Sequence, residues 1–354
     1  MAKESKTYHE LMYIDNTLRL RDVLNTMPGF VRDYFRAIEP TTSVKTRISY
    51  AYDIRIFFKF LLENNPVYKS YKMTDFQVSD LERIAPVDIE EYQEYLKVYH
   101  NHNGDKMETN SERGLKRKIS ALRSFYAYYY KREMIETNPA VLVDVPKIHE
   151  KSIIRLDADE VALLLDHIEH AGDTLTGQKR AYWEKTKERD LAIVTLLLGT
   201  GIRVSECVGL DIEDVDFKNN GIKVTRKGGN EMVVYFGSEV EKALKNYLEV
   251  RENIVPLSGH EHALFYSSQK KRIGVQAIEN LVKKYSREIT TTKKITPHKL
   301  RSTYGTALYQ ETGDIYLVAD VLGHRDVNTT KKHYAALDDA RRRQAATAVK
   351  LRED

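Results

Sequence analysis

A short series of polar residues in the second half of the chain has the types and spacing for chemistry on a phosphate. Gly199-Thr200-Gly201-Ile202-Arg203-Val204-Ser205-Glu206 sets an arginine just past an apolar run, with Glu206 three residues on and on the same side of a helical turn. A carboxylate so placed holds a guanidinium in position and leaves its other donors for an anion. Lys227 stands at the tip of a glycine-rich turn, where a mobile amine can reach a ligand. His298 and Arg301, in HKLR, lie one helical turn apart on one face; His324 follows Gly323 in LGHR, and Tyr334 comes ten residues later in KKHYAAL. Two arginines, a lysine and two histidines aimed at one point suit a phosphate passing through a pentacoordinate transition state. The arginines neutralise the equatorial oxygens, a histidine or lysine protonates the leaving oxygen, and a tyrosine hydroxyl is the nucleophile. Taken singly, each also has a structural reading: Arg203–Glu206 as an ion pair, His298 as a core histidine, Tyr334 as one of 23 tyrosines.

A second basic feature lies earlier. Between Arg113 and Arg132 the chain carries Arg113, Lys116, Arg117, Lys118, Arg123, Lys131 and Arg132 and no acid, interleaved with Phe125, Tyr126, Tyr128, Tyr129 and Tyr130. Cations of this kind contact phosphate oxygens; the competing reading is a solvated basic face behind a core stripe of Ile119, Leu122 and Tyr126. Other signals are weaker. His100-Asn101-His102 spells a nuclease motif without its surrounding pattern, His260 and His262 have no third metal ligand at a usable spacing, and Cys207 reads as a small buried hydrophobe. With one cysteine in 354 residues, an internal disulfide framework and multi-cysteine metal sites are excluded.

The elements that must position these residues read as mainly helical. Val44–Glu63 places Val44, Ile48, Ala51, Phe58 and Leu62 on one face, and Val87–Tyr99 and Gly114–Arg132 behave alike. His100–Asp105 reads as a polar loop. From Thr137 to Ile153 the pattern breaks at Pro139, Pro146 and KIHEK, as in a linker. A helix start at Asp157 with Glu160 opens a second domain; residues 170–188 are polar and aperiodic, which predicts a surface loop, and Arg189–Leu198 is an apolar helix. Asp214–Phe217, Gly221–Arg226 and Glu231–Phe236 read as strands joined by hairpin turns, and everything after about residue 240 as helix. Leu191 to Gly199, the most apolar run, is half of the roughly 20 residues that cross a bilayer. The N-terminal MAKESKTYHE lacks the order of a signal peptide. A soluble cytoplasmic protein without membrane contact is therefore expected. Its net charge is only +4.

Taken in order, GTGIRVSE, a lysine in a β-hairpin, HKLRST, LGHRDVNTT and a tyrosine resemble the signature series of the tyrosine recombinase/phage integrase family across about residues 153–340. KERDLAIVTLLL, VTRKGGN and TPHKLR are most similar to the XerS branch of its Xer type; MPGFVRDYF and the helix around Phe57–Leu61 resemble that branch as well. The resemblance implies a mainly α fold with a small antiparallel β-sheet, in two domains that form a clamp around DNA. Residues 1–145 would be a helical, SAM-like, core-binding DNA-binding domain, 146–153 a linker, and 154–354 the catalytic domain. It implies that Arg203 and Arg301 clamp the scissile phosphate with Glu206 in support, that Lys227 protonates the departing 5′-oxygen, and that His298 and His324 assist proton transfer and orientation. Tyr334 would form a 3′-phosphotyrosyl link. Arg113, Lys116, Arg117, Lys118 and Arg123 would touch DNA, and no metal or other cofactor would be needed. The implied partner is double-stranded DNA with inverted half-sites, held by a homotetramer on two sites. Asp338–Arg352 would dock into a neighbouring subunit. The implied activity is strand exchange through a Holliday junction, in chromosome dimer resolution or in a mobile-element integrase. A non-catalytic DNA-binding relative and a type IB topoisomerase-like enzyme are the alternatives. One departure stands out: the family usually has its tyrosine nine residues after the LGH histidine, and here the ninth is His333. One extra helical residue rotates a side chain by roughly 100°.

Overall fold

The computed structural model describes residues 7–100, 107–149, 153–226, 228–324, 326, 327 and 330. The chain divides into two compact units, Met1–Lys151 and Ser152–Asp354.

The first unit is built from helices α1 (Tyr8–Asn25), α2 (Val31–Ala37), α3 (Val44–Asn64), α4 (Asp80–Arg83) and α5 (Pro86–Tyr95), a hairpin of β1 (Val98–His100) and β2 (Met107–Thr109), and helices α6 (Glu112–Lys131) and α7 (Pro139–Leu142). The long helices start on side-chain caps, which satisfy amide groups that a first helical turn leaves unpaired. Thr7 and Glu10 form a reciprocal capping box on α1, Ser43 caps α3 and Ser111 caps α6. The core is aromatic. Phe58 meets Phe125 edge-on at 6.2 Å between ring centres, and Tyr34 meets Phe125 at 5.3 Å. Much of the tyrosine excess belongs here: Tyr34, Tyr68, Tyr92 and Tyr129 are buried, and their hydroxyls donate to Ser124 Oγ, Asp80 O, Asp53 O and Phe30 O. Buried phenols generally take such a partner, though the buried Tyr126 hydroxyl has none among the described residues. The helix read over Val87–Tyr99 stops at Tyr95, and the chain turns into β1, which pairs antiparallel with β2 through Tyr99 and Glu108.

The second unit begins with α8 (Ala158–His170), where Asp157 N donates to Glu160 Oε2 at 2.8 Å. It continues through α9 (Gly177–Thr200), α10 (Val204–Gly209), strands β3 (Val215–Asp216), β4 (Gly221–Thr225) and β5 (Glu231–Tyr235), and helices α11 (Ser238–Glu252), α12 (Val275–Ile289), α13 (Pro297–Thr312) and α14 (Ile315–Leu322). The loop read at 170–188 is corrected: from Gly177 it is the first half of α9. This half is polar nearly all round, so no apolar stripe marks it. Trp183 anchors it, donating Nε1 to Ile168 O at 2.9 Å, while Arg180–Glu184 and Lys187 lie along its outer face. The second half, Ala192–Leu197, is buried, with α8, α11 and α13 as neighbours. The sheet has the order β3-β4-β5, antiparallel throughout, with Ile222 opposite Val234 and Thr225 opposite Glu231. The stretch between α11 and α12 is not helical as read. Arg251 and Arg272 organise it by donating to backbone carbonyls, Arg251 to Glu261, Ala263 and Leu264, and Arg272 to Val208 and Leu210.

Candidate active site

Three helix ends and one hairpin meet at the residues singled out above. Helix α9 ends on Gly201 at φ +63, a left-handed conformation that L side chains rarely adopt. A Cβ at Gly201 would also come within 2.4 Å of the Tyr304 ring, so glycine is demanded twice over. The chain then turns into Arg203, the N-cap of α10. Its backbone N donates to Glu206 Oε2 at 2.8 Å and its Nη1 to Oε1 at 2.6 Å. Glu206 is 5% exposed, so this carboxylate is committed to holding Arg203. Arg203 Nη2 reaches on to Gly323 O at 3.3 Å.

Arg301 projects from α13 and is 4% exposed. It donates Nη1 to Gly201 O at 2.5 Å and Nη2 to Leu322 O. These carbonyls belong to the C-terminal ends of α9 and α14, where unpaired oxygens and the helix dipole favour a cation. Helix α14 itself stops at Gly323, φ +60, and His324 follows with Nδ1 2.7 Å from Thr330 Oγ1. Arg203, Arg301, Glu206 and His324 are thus brought together around the Gly323 turn. His298 sits one turn before Arg301 on α13 and is exposed. Lys227 and Tyr334 lie outside the described residues, as does Asp338–Arg352.

The sequence reading passed over one residue, Arg226. Its Nη1 donates to Leu322 O at 2.5 Å and its Nη2 to Val321 O at 2.8 Å, making it a third guanidinium on the end of α14. Burial holds its pKa below the usual arginine value; Glu206 works against that shift and the nearby charge of Arg203 adds to it. The signal was available: Ile222 and Val224 alternate along β4, both buried, and Arg226 follows the strand in the same phase.

Elsewhere, several candidates find structural roles. On α6, Lys118 is buried against Asp53 at 3.4 Å, and Arg117 pairs with the same carboxylate. Burial raises the Asp53 pKa above the usual value, while Lys118 and Arg117 pull against that rise. Arg123 donates to Ala140 O at 3.1 Å and Val143 O at 2.6 Å. Of the five residues expected to touch DNA, Arg113, Lys116 and Arg117 are exposed, whereas Lys118 is turned inward and Arg123 is taken up by carbonyls. Cys207 is buried, which pushes its thiol up to about 12. His262 Nδ1 lies 2.7 Å from Glu213, and among the described residues no group of three or more His, Cys, Asp or Glu gathers as for a metal. Of the other tyrosines in this region, Tyr309 is buried and Tyr304 half-buried, whereas Tyr316 is 71% exposed. Among the described residues no helix is long and apolar enough to cross a membrane.

The phage integrase family profile matches residues 155–341. The tyrosine recombinase XerC of Caldanaerobacter subterraneus subsp. tengcongensis is 32% identical over 330 residues, covering 91% of this chain and 86% of that protein. The tyrosine recombinase XerS of Streptococcus thermophilus is 29% identical over 345 residues, covering 91% and 95%. Among solved structures, the Tn1549 transposon integrase in complex with circular intermediate DNA covers 89% of this chain and 98% of its own, with a TM-score of 0.62 at 20% identity. The fold is shared well beyond what that identity alone would show. With this breadth of match, the chain belongs to the phage integrase family of tyrosine recombinases, enzymes that break and rejoin DNA strands.

Proposed function

We propose that this chain is a site-specific DNA recombinase of Xer type, acting in chromosome dimer resolution. The observation that carries the site assignment is the gathering of Arg203 and Arg301 on the Gly323 turn beside His324, one guanidinium braced by a buried carboxylate and the other by two helix C-termini. Cationic donors held in advance stabilise charge that develops on the equatorial phosphate oxygens, because no reorganisation is needed as the reaction proceeds. In this reading Arg203 and Arg301 clamp the scissile phosphate and Glu206 fixes Arg203. His324, steadied by Thr330, and exposed His298 contact the phosphate from two further sides. The Tyr334 oxygen attacks phosphorus, the bond to the 5′-oxygen breaks, and Lys227 delivers the proton that oxygen needs. The 3′-phosphotyrosyl link keeps the energy of the broken bond, so a 5′-hydroxyl from another strand reverses the step without a nucleotide cofactor. Four subunits on two duplexes, each duplex carrying inverted half-sites, would pass through a Holliday junction. Relatives named as XerC and XerS, matched over nine-tenths of this chain, support the Xer role.

The test is covalent capture on a nicked duplex, where cleavage frees a short strand that diffuses away. Wild-type protein becomes DNA-linked, and mass spectrometry of the linked peptide returns Tyr334. Tyr334→Phe keeps site binding and gives no linked species. Capture by that variant, or a link on another tyrosine, overturns the assignment of the nucleophile. No capture by wild-type protein on a bound site favours a non-catalytic relative.

A further inference from the structure

Arg226 has no role in the chemistry assigned above, yet it is held more elaborately than a surface arginine. Both terminal nitrogens bond the last carbonyls of α14, and one of these, Leu322 O, is shared with Arg301. Its backbone closes the β4–β5 turn: Arg226 N donates to Asn230 O at 2.8 Å, and Arg226 O accepts from Gly229 N at 3.0 Å. The opposing wall is shaped to receive it, since a Cβ on Gly323 would stand 1.7 Å from Arg226 Nη1. Arg226 Nε is buried with no hydrogen-bond partner among the described residues. A guanidinium accommodated at that cost fixes one element to another. What it fixes is the hairpin that carries Lys227, the next residue, in a turn whose following glycines, Gly228 and Gly229, take left-handed φ of 99° and 84°.

We propose that Arg226 is a positioning residue for proton donation, tying the β4–β5 turn, and Lys227 with it, to the end of α14 that carries Gly323 and His324. The proposal rests on Lys227 being the donor to the leaving oxygen. As the tyrosyl O–P bond forms, the P–O5′ bond breaks and its electron pair leaves on O5′, which takes a proton from the lysine ammonium. Without the Arg226 clamp the turn is no longer tied to α14, and proton delivery to that oxygen slows. Lysine in place of Arg226 does not restore the clamp, because one ammonium cannot span two carbonyls as the planar fork does.

The experiment uses the full chain and two matched nicked duplexes bearing an inverted repeat selected by this chain from a random-sequence library. One carries the ordinary bridging 5′-oxygen at the scissile position, the other sulfur. A thiolate leaves without a proton, so loss of proton donation disappears on the sulfur substrate. Lys227→Ala, Arg226→Ala and Arg226→Lys are each expected to slow cleavage of the oxygen substrate by about 100-fold. All three should return to within a few-fold of wild type on sulfur. The readout is the ratio of the two rates, which partial unfolding leaves unchanged because it scales both; Arg226→Lys carries the test if the alanine variant does not fold. If Lys227→Ala recovers on sulfur while the Arg226 variants stay slow on both, the proposal falls and the lysine reading stands. If Lys227→Ala itself does not recover, the donor reading falls and takes the proposal with it. Wild-type rates for the Arg226 variants on oxygen also overturn it.

Discussion

Arginine does two different jobs in this chain, and Arg301, buried on two carbonyls yet set on the Gly323 turn beside Arg203, has features of both. Arg251 faces carbonyls of the irregular stretch between α11 and α12, Arg272 those of Val208 and Leu210 at the end of α10, and Arg123 those of Ala140 and Val143. These are structural. Arg203 is one-third exposed and uses a buried carboxylate for alignment, an arrangement suited to a ligand. Neighbours three residues apart made the Arg203–Glu206 pair readable, because local spacing fixes which side chains meet on a turn. The same logic could not separate Lys118 from Lys116: the pairing of Lys118 with Asp53 spans 65 residues. The basic helix then gives a two-armed prediction. Arg113→Ala with Lys116→Ala should leave thermal stability alone and weaken DNA binding, lowering the slope of log K against log salt by about 2. Lys118→Ala strips a buried carboxylate of a partner and should cost about 3 kcal/mol of stability. Thermal unfolding and salt titrations of the same variants check both arms; an unchanged salt slope for the double variant would make the outer face merely solvated.

At the scale of elements, what was legible had a repeating pattern and what was missed did not. The amphipathic helices α3 and α6 and the alternating β4 were readable to within a few residues. The first half of α9 was not, because its polar face runs nearly all round and only Trp183 and Thr186 are buried. The β1–β2 hairpin escaped for another reason: its three-residue strands are too short to show a period of two. The turns between elements carry the site, and Gly201 is the most exacting of them. Gly201→Ala would put a side chain at φ +63 and against Tyr304 at 2.4 Å. Conformational strain and overpacking together should cost about 3 kcal/mol, a fall in Tm of about 10 °C. Because Arg301 bonds the carbonyl of the same residue, cleavage should drop further than the folded fraction does. Calorimetry and single-turnover cleavage on one preparation make the comparison. Loss of activity merely in step with unfolding would show that the turn does not set the site.

For the whole molecule, a net charge of +4 says little about a DNA enzyme, since its cations are unevenly spent. Some neutralise buried carboxylates, some cap helix ends, and only a subset remains exposed. The division at Lys151 sharpens this. The first unit holds a continuous aromatic core of its own, from Leu20 to Val143, and the second is organised around α9. If each of these two units touches DNA, as proposed, they bind as a bivalent ligand: once one is attached, the other meets its site at an effective concentration set by the linking stretch. A protease site placed in residues 146–153 and cut after folding should therefore leave the far-ultraviolet circular dichroism unchanged. DNA affinity should fall by about 100-fold at the same salt. The salt slope of each separated unit should be shallower than that of the intact chain, since each neutralises only its own share of phosphates. If the cut protein kept full affinity, the two units would hold one another without the linker. If helicity were lost, neither core would be sufficient alone. The predicted pattern, helicity kept and affinity lost, assigns the linker an energetic role that neither unit carries by itself.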